Sequence, residues 1–153
     1  MAYEYHIYDQ TGLDLIEPLW QKLNQHHAEQ GSAFAAAYAA NTFAQRKQEL
    51  LAKAAMGQFR LVIAWDKASG QAIAYCASSA IPQGLGEVES LYLEPSERSQ
   101  GMGKHLVKDA LQWMDGLGVK KRKVVVYSGN EEAVGFYEKM GFKTRYLVME
   151  GVG

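Results

Sequence analysis

Gly101 and Gly103, inside the stretch RSQGMGKHL from Arg98 to Leu106, are the residues whose spacing first points to chemistry. Neither carries a Cβ, so the backbone there can take unusual dihedrals and come close to a ligand. A helical pattern follows directly, and the first amides of a helix point outward unpaired at the positive end of its dipole. Arg98 and Lys104 add positive charge on either side. Such a loop either cradles a phosphate or simply turns a strand into a helix. Counting removes the two common nucleotide loops. Walker A requires Ser or Thr after its lysine, and Lys104 is followed by His105. The dinucleotide fingerprint requires a third small residue where Leu106 stands.

Other side chains suggest proton transfer. Glu87 and Glu89 are two apart in a strand pattern and so share a face, unless a bulge exchanges which of them faces a cleft. The plain alternative is a pair of solvated acids on an edge strand. Tyr137 follows Phe136; a phenol holds its proton at neutral pH and can give it up to a leaving group, or it can be a core aromatic with a bonded hydroxyl. His26 and His27 close a helix, where imidazoles suit the negative end of the dipole. Adjacent histidines do not share a helix face, and no cysteine or HExxH spacing supports them, so no metal is expected. Lys120 to Lys123, KKRK, reads as a solvated turn or as a contact for a phosphate or an acidic partner.

The elements that position these residues follow from periodicity and punctuation. Residues 3–8 alternate as a first strand, and Asp14 is placed to cap a helix running to about Gln30. A second helix covers Phe43 to Ala55 and stops at Gly57. Strands follow at residues 59–66 and 71–81, joined by a KASG hairpin, and at 86–95, ended by Pro95. Leu106, Val107, Ala110, Leu111 and Met114 recur at helical spacing after the glycine loop. A buried strand at residues 122–128, a short helix from Asn130 and a last strand at 142–151 complete the chain. The order β-α-α-β-β-β-α-β-α-β predicts an α/β fold with a mixed sheet and a parallel pair flanking the helix after Gly103.

Bulk properties frame this reading. The 153 residues fit one domain, 48% of them hydrophobic and 22% charged, an ordinary globular profile. A net charge of -1 gives no basic field to draw the chain onto nucleic acid or an anionic membrane. Cys76 stands alone, so no internal disulfide forms, which suits a reducing cytoplasm. MAYEYHIYDQ has no apolar core of a signal peptide, and no apolar run approaches the roughly 20 residues of a membrane span.

In context the loop becomes specific. ESLYLEPSERSQGMGKHLV resembles the coenzyme A-binding signature of the GNAT N-acetyltransferases, a strand triplet followed by Arg/Gln-x-x-Gly-x-Gly/Ala. NEEAVGFYEKMGF resembles the family's downstream motif, with Asn130, Ala133, Phe136, Tyr137, Gly141 and Phe142 in its positions. The two blocks stand in the family's order with one helix and one strand between them. The resemblance implies a GNAT-like sheet, mostly antiparallel, with helices on both faces, and acetyl-CoA as co-substrate. It implies that Leu91, Tyr92 and Leu93 offer backbone groups to the pantetheine arm, beside a bulged strand that splays from its neighbour. It implies that Arg98, Ser99, Gln100, Gly101, Met102, Gly103 and Lys104 hold the pyrophosphate and that Asn130 contacts the cofactor arm. Tyr137 then matches the family's acid against the sulfur. Glu87 sits where one branch carries its base glutamate, with Glu89 beside it. Another family position for a base carboxylate falls at about Val125, a departure that leaves the base open.

The implied reaction is direct attack of an amine, from a small molecule or a peptide, on the thioester. No nucleic acid, membrane or metal is implied, and a homodimer is common in the family. A non-catalytic acyl-CoA sensor of the same fold, or a phosphate- or nucleotide-binding regulatory protein, would present the same loop.

Overall fold

The computed structural model describes residues 2–152. β1 (Tyr3–Tyr8) leads into a 3-10 turn over Gln10–Ile16 and then α1 (Glu17–Ala28), α2 (Ala35–Ala40) and α3 (Phe43–Ala55). A meander of β2 (Gln58–Asp66), β3 (Ala72–Ala80) and β4 (Leu85–Leu93) follows. The chain continues through α4 (Met102–Gly116), β5 (Lys121–Val124) and α5 (Glu131–Lys139). The strands lie in the sheet in chain order, β1 to β5, antiparallel throughout except for the parallel β4–β5 pair. The α4 crossover joins that pair, as parallel neighbours require.

Alternation along β2 separates two cores. Leu61 and Ile63 face the layer of α1 and α3, packing with Leu13, Ile16, Trp20 and Leu50. Val62 and Ala64 face α4, packing with Leu106, Ala110 and Met114. Helices on both faces of a mixed sheet are the fold class that the sequence predicts.

Four expectations are corrected. The cap at the start of the first helical segment is Asp9, whose carboxylate accepts from the Thr11 amide; Asp14 lies inside the 3-10 turn and pairs with Lys47. α1 stops at Ala28 rather than Gln30. β5 ends at Val124, half-buried at best, and Val125 beyond it is exposed, so the strand drawn to Ser128 is short and not buried. Residues 142–152 form no strand, and Leu147 and Met149 are exposed despite their strand-like pattern. The short helix α2 appears where the Ala-rich stretch gives no apolar stripe to read. Among the described residues no helix is long and apolar enough to cross a membrane.

Candidate active site

β4 carries a bulge. Ala77 pairs with Ser90 but Ser78 pairs with Val88, which leaves Glu89 as the extra residue. The strand then parts from its parallel neighbour: pairing with β5 covers only Leu85 to Val88. Leu91 to Leu93 are therefore paired to β3 on one side and, among the described residues, have no strand on the other. That free edge is what an extended arm needs in order to add as a further strand.

α3 staples the bulge. Thr42 and Gln45 form a reciprocal capping box that fixes its start. From this helix Arg46 Nη2 donates to the Glu89 carbonyl at 2.7 Å and to its carboxylate at 3.4 Å. Lys53 Nζ donates to Glu87 Oε1 at 2.7 Å and to Glu89 Oε2 at 3.0 Å. Ser79 Oγ completes the set at 2.7 Å from Glu89 Oε2. The glutamates share a face, as their spacing predicts, but they are not solvated: the side chains of Glu87 and Glu89 are 8% and 2% exposed. Burial works against the charge on Lys53, yet its bonds to the two carboxylates prevail and hold its pKa above the ordinary lysine value.

The glycine loop takes the form of an anion seat. Ser99 and Gly101 have φ of +64° and +87°, and α4 begins at Met102 with no side-chain cap. The first amide of α4 to find a carbonyl is His105, bonded to Gly101 at 3.0 Å. The amides of Met102, Gly103 and Lys104 have no protein acceptor among the described residues. Gly103 differs from Gly101: a Cβ there would meet the Phe136 ring at 3.5 Å and Leu93 Cδ1 at 3.8 Å, both ordinary contacts, so the protein itself leaves room for one. Arg98 does not extend freely into the seat. Its Nε donates to the Leu93 carbonyl at 3.1 Å and its guanidinium lies over the Tyr92 ring.

The strand edge and the loop open onto one cavity of about 1180 Å³, which Glu87, Glu89, Lys104, Asn130 and Tyr137 also line. Asn130 sits immediately before α5 with its side chain uncommitted to capping. Tyr137 is buried within α5, edge-on to Phe136 and Phe142. Burial, followed by its neighbours Cys76 and Tyr75, raises its hydroxyl pKa well above the ordinary phenol value. No hydrogen bond to a described residue occupies that hydroxyl. Cys76 is no nucleophile: it is buried, and burial pushes its thiol up to about 12.

The far end of the cavity was less legible in the sequence. Tyr127 stacks on Tyr38 at 4.7 Å and lies 4.7 Å from the His27 ring. Ser128 Oγ lies 2.6 Å from Ser32 Oγ and 3.0 Å from the Tyr38 hydroxyl. These contacts tie the α1–α2 loop to the β5–α5 loop. His27 is thus locked among aromatics rather than capping a helix end, and burial, then the His26 charge, lowers its pKa to about 4. In KKRK, Arg122 pairs with Asp115 and Lys123 reaches to 3.9 Å from Glu87. Lys120, Lys121 and Arg122 are exposed, and Lys121 already opens β5.

The Acetyltransferase (GNAT) family matches residues 20–142, spanning all of this geometry. The chain belongs to the GNAT family. The peptidyl-lysine N-acetyltransferase YjaB of Salmonella typhimurium is 45% identical over 56 residues, a stretch that covers 37% of this chain and 35% of that protein. The alignment with this relative thus spans about a third of its length. Among solved structures, a tetramutant of BH1408 from Bacillus halodurans superposes with a TM-score of 0.73 at 15% identity, covering 96% of this chain and 97% of that one. The aminoglycoside N-acetyltransferase AAC(6')-Iy, solved with CoA, gives a TM-score of 0.64 at 18% identity, over 97% and 93% of the two chains. At these identities the likeness is one of GNAT fold.

Proposed function

We propose that the chain transfers the acetyl group of acetyl-CoA to a primary amine by direct attack. The observation that carries this reading is a single cavity joining the start of α4 at Gly103 and Lys104, a free strand edge and a phenol that, among the described residues, has no hydrogen-bond partner. The amides of Met102 to Lys104, backed by the α4 dipole, suit a pyrophosphate. Lys104 adds a charge there, Leu91 to Leu93 take the pantetheine arm along the strand, and Asn130 contacts it. The backbone near Leu91 offers a donor to the thioester oxygen as charge builds there.

Two proton problems remain for this chain to solve. The acceptor enters as an ammonium and must lose a proton before it is a nucleophile. The departing sulfur benefits from receiving one. Tyr137 holds its proton throughout the neutral range because burial opposes the phenolate, and its free hydroxyl can give that proton to the sulfur. The two buried glutamates line the same cavity.

The names of the relatives point to a peptide lysine in one case and an aminoglycoside in another, both amines. For this chain the acceptor is proposed as a primary amine, on a small molecule or a peptide, and the setting as the cytoplasm. Calorimetric titration tests the reading: acetyl-CoA binds and competes out ATP and NAD, and an amine panel supports release of free CoA. No heat with acetyl-CoA, or tighter binding of ATP, would contradict it.

A further inference from the structure

Ser32 and Ser128 are 96 residues apart in the chain, yet their hydroxyl oxygens meet at 2.6 Å. Ser128 Oγ also lies 3.0 Å from the Tyr38 hydroxyl, and the Tyr38 ring stacks on Tyr127 with planes 10° from parallel. Gly129 packs closer still. Its φ is +94°, and a Cβ there would stand 2.9 Å from Gln30 Cβ, too near for both to stay in place. The α1–α2 loop and the loop from β5 to α5 thus meet in a clasp, built by side chains from both and by one glycine that lets them touch.

The clasp stands at the reacting end of the cavity. Val88 and Val124 are the last pair of the two parallel strands. Tyr127 lies three residues past one as Leu91 lies three past the other, so the clasp is level with the proposed thioester position. The arm of acetyl-CoA reaches Leu91 from the glycine loop. The amine is left the opposite approach, where His26, His27 and Tyr127 line the cavity.

Two features suit the clasp to parting. Its hydrogen bonds join hydroxyls only, and Ser128 is exposed, so water can replace them at small net cost. Its closed form also carries a cost. His27 Nδ1 is buried beside the Tyr127 and Tyr38 rings, and it alone among the buried side-chain polar atoms of the described residues has no hydrogen-bond partner. Parting the rings opens that nitrogen to water and removes the penalty.

We propose that this clasp is a gate on the acceptor's path, parting to admit the amine, and that its tyrosine pair selects against bulky acceptors. The gate rests on the acetyltransfer reading and adds a moving part to it. Two stacked tyrosine faces suit an ammonium on an unbranched alkyl chain, which gains cation–π attraction as it passes. An amine borne on a ring needs a wider opening.

The test locks the gate. Ser32→Cys/Ser128→Cys puts two thiols where the hydroxyls now meet, while Cys76 is buried and stays out of exchange. Once mass and thiol count show the cross-link, CoA release with the best amine of the panel should fall on the order of 10-fold or more. Acetyl-CoA affinity should be unchanged, and dithiothreitol should restore turnover. Ser128→Ala removes both hydroxyl contacts without adding a thiol. It should raise kcat/KM for a ring-borne amine about threefold relative to an unbranched alkylamine. Equal turnover in the oxidised and reduced enzyme, thiols that fail to cross-link, or an unchanged amine ratio in Ser128→Ala would overturn the gate and leave acetyl transfer standing. A wild-type protein that binds no acetyl-CoA would overturn both readings.

Discussion

Arg46 holds the carbonyl of Glu89 at 2.7 Å, a helix side chain gripping the one residue that β4 extrudes from its ladder. A bulge leaves backbone groups without partners, and an unpaired buried carbonyl is costly. α3 therefore does more than cover a core face: it sets the shape of the strand on which the arm of acetyl-CoA is proposed to lie.

Arg46→Ala should destabilise the protein by about 2 kcal/mol, since it strands a carbonyl and takes one of three donors from a buried carboxylate that keeps Lys53 and Ser79. A lowered urea midpoint with unchanged slope checks this. The same variant should weaken acetyl-CoA binding, because the free edge at Leu91 to Leu93 depends on the bulge.

Gly101→Ala and Gly103→Ala should separate stability from binding. At Gly101, φ of +87° makes any side chain strained, by roughly 1–2 kcal/mol. At Gly103 a methyl group makes only ordinary contacts with Phe136, so stability should change by less than about 0.5 kcal/mol. Both should lose acetyl-CoA affinity, read by calorimetry. Equal affinity in Gly103→Ala and wild type would mean that no ligand approaches that amide closely.

His27 links folding to pH. Its pKa falls from an ordinary 6.5 to about 4 in the fold, so the unfolded chain binds more protons between those values. The contribution is complete above 6.5 and is lost as pH falls toward 4. Urea midpoints measured from pH 7 to pH 4.5 should therefore decline less steeply in His27→Phe than in wild type. Parallel declines would show that His27 is not what couples them.

Much of this site was legible because its signals are local. The glycine loop, the triplet before it and the Asn-to-Phe motif after it fall in one stretch, and the structure brings all three to one cavity. What sequence spacing hides is contact across distance. Glu87 and Glu89 read as solvated acids because Lys53 and Arg46, which bury and bind them, lie 34 and 43 residues away. Tyr127 reads as strand interior, although β5 has already ended and the loop there serves to lock His27 and Tyr38. The pattern of residues 142–151 satisfies the rules for a strand, but a strand also needs a partner, and none of the described strands pairs with it.

The most direct test of the central claim is Tyr137→Phe, assayed for acetyl-CoA affinity and for CoA release with an acceptor amine. Removing only the hydroxyl should lower kcat at least about 100-fold while acetyl-CoA binds as tightly as before. Undiminished turnover in this variant would contradict the proposed role of the phenol as the proton donor to the leaving sulfur.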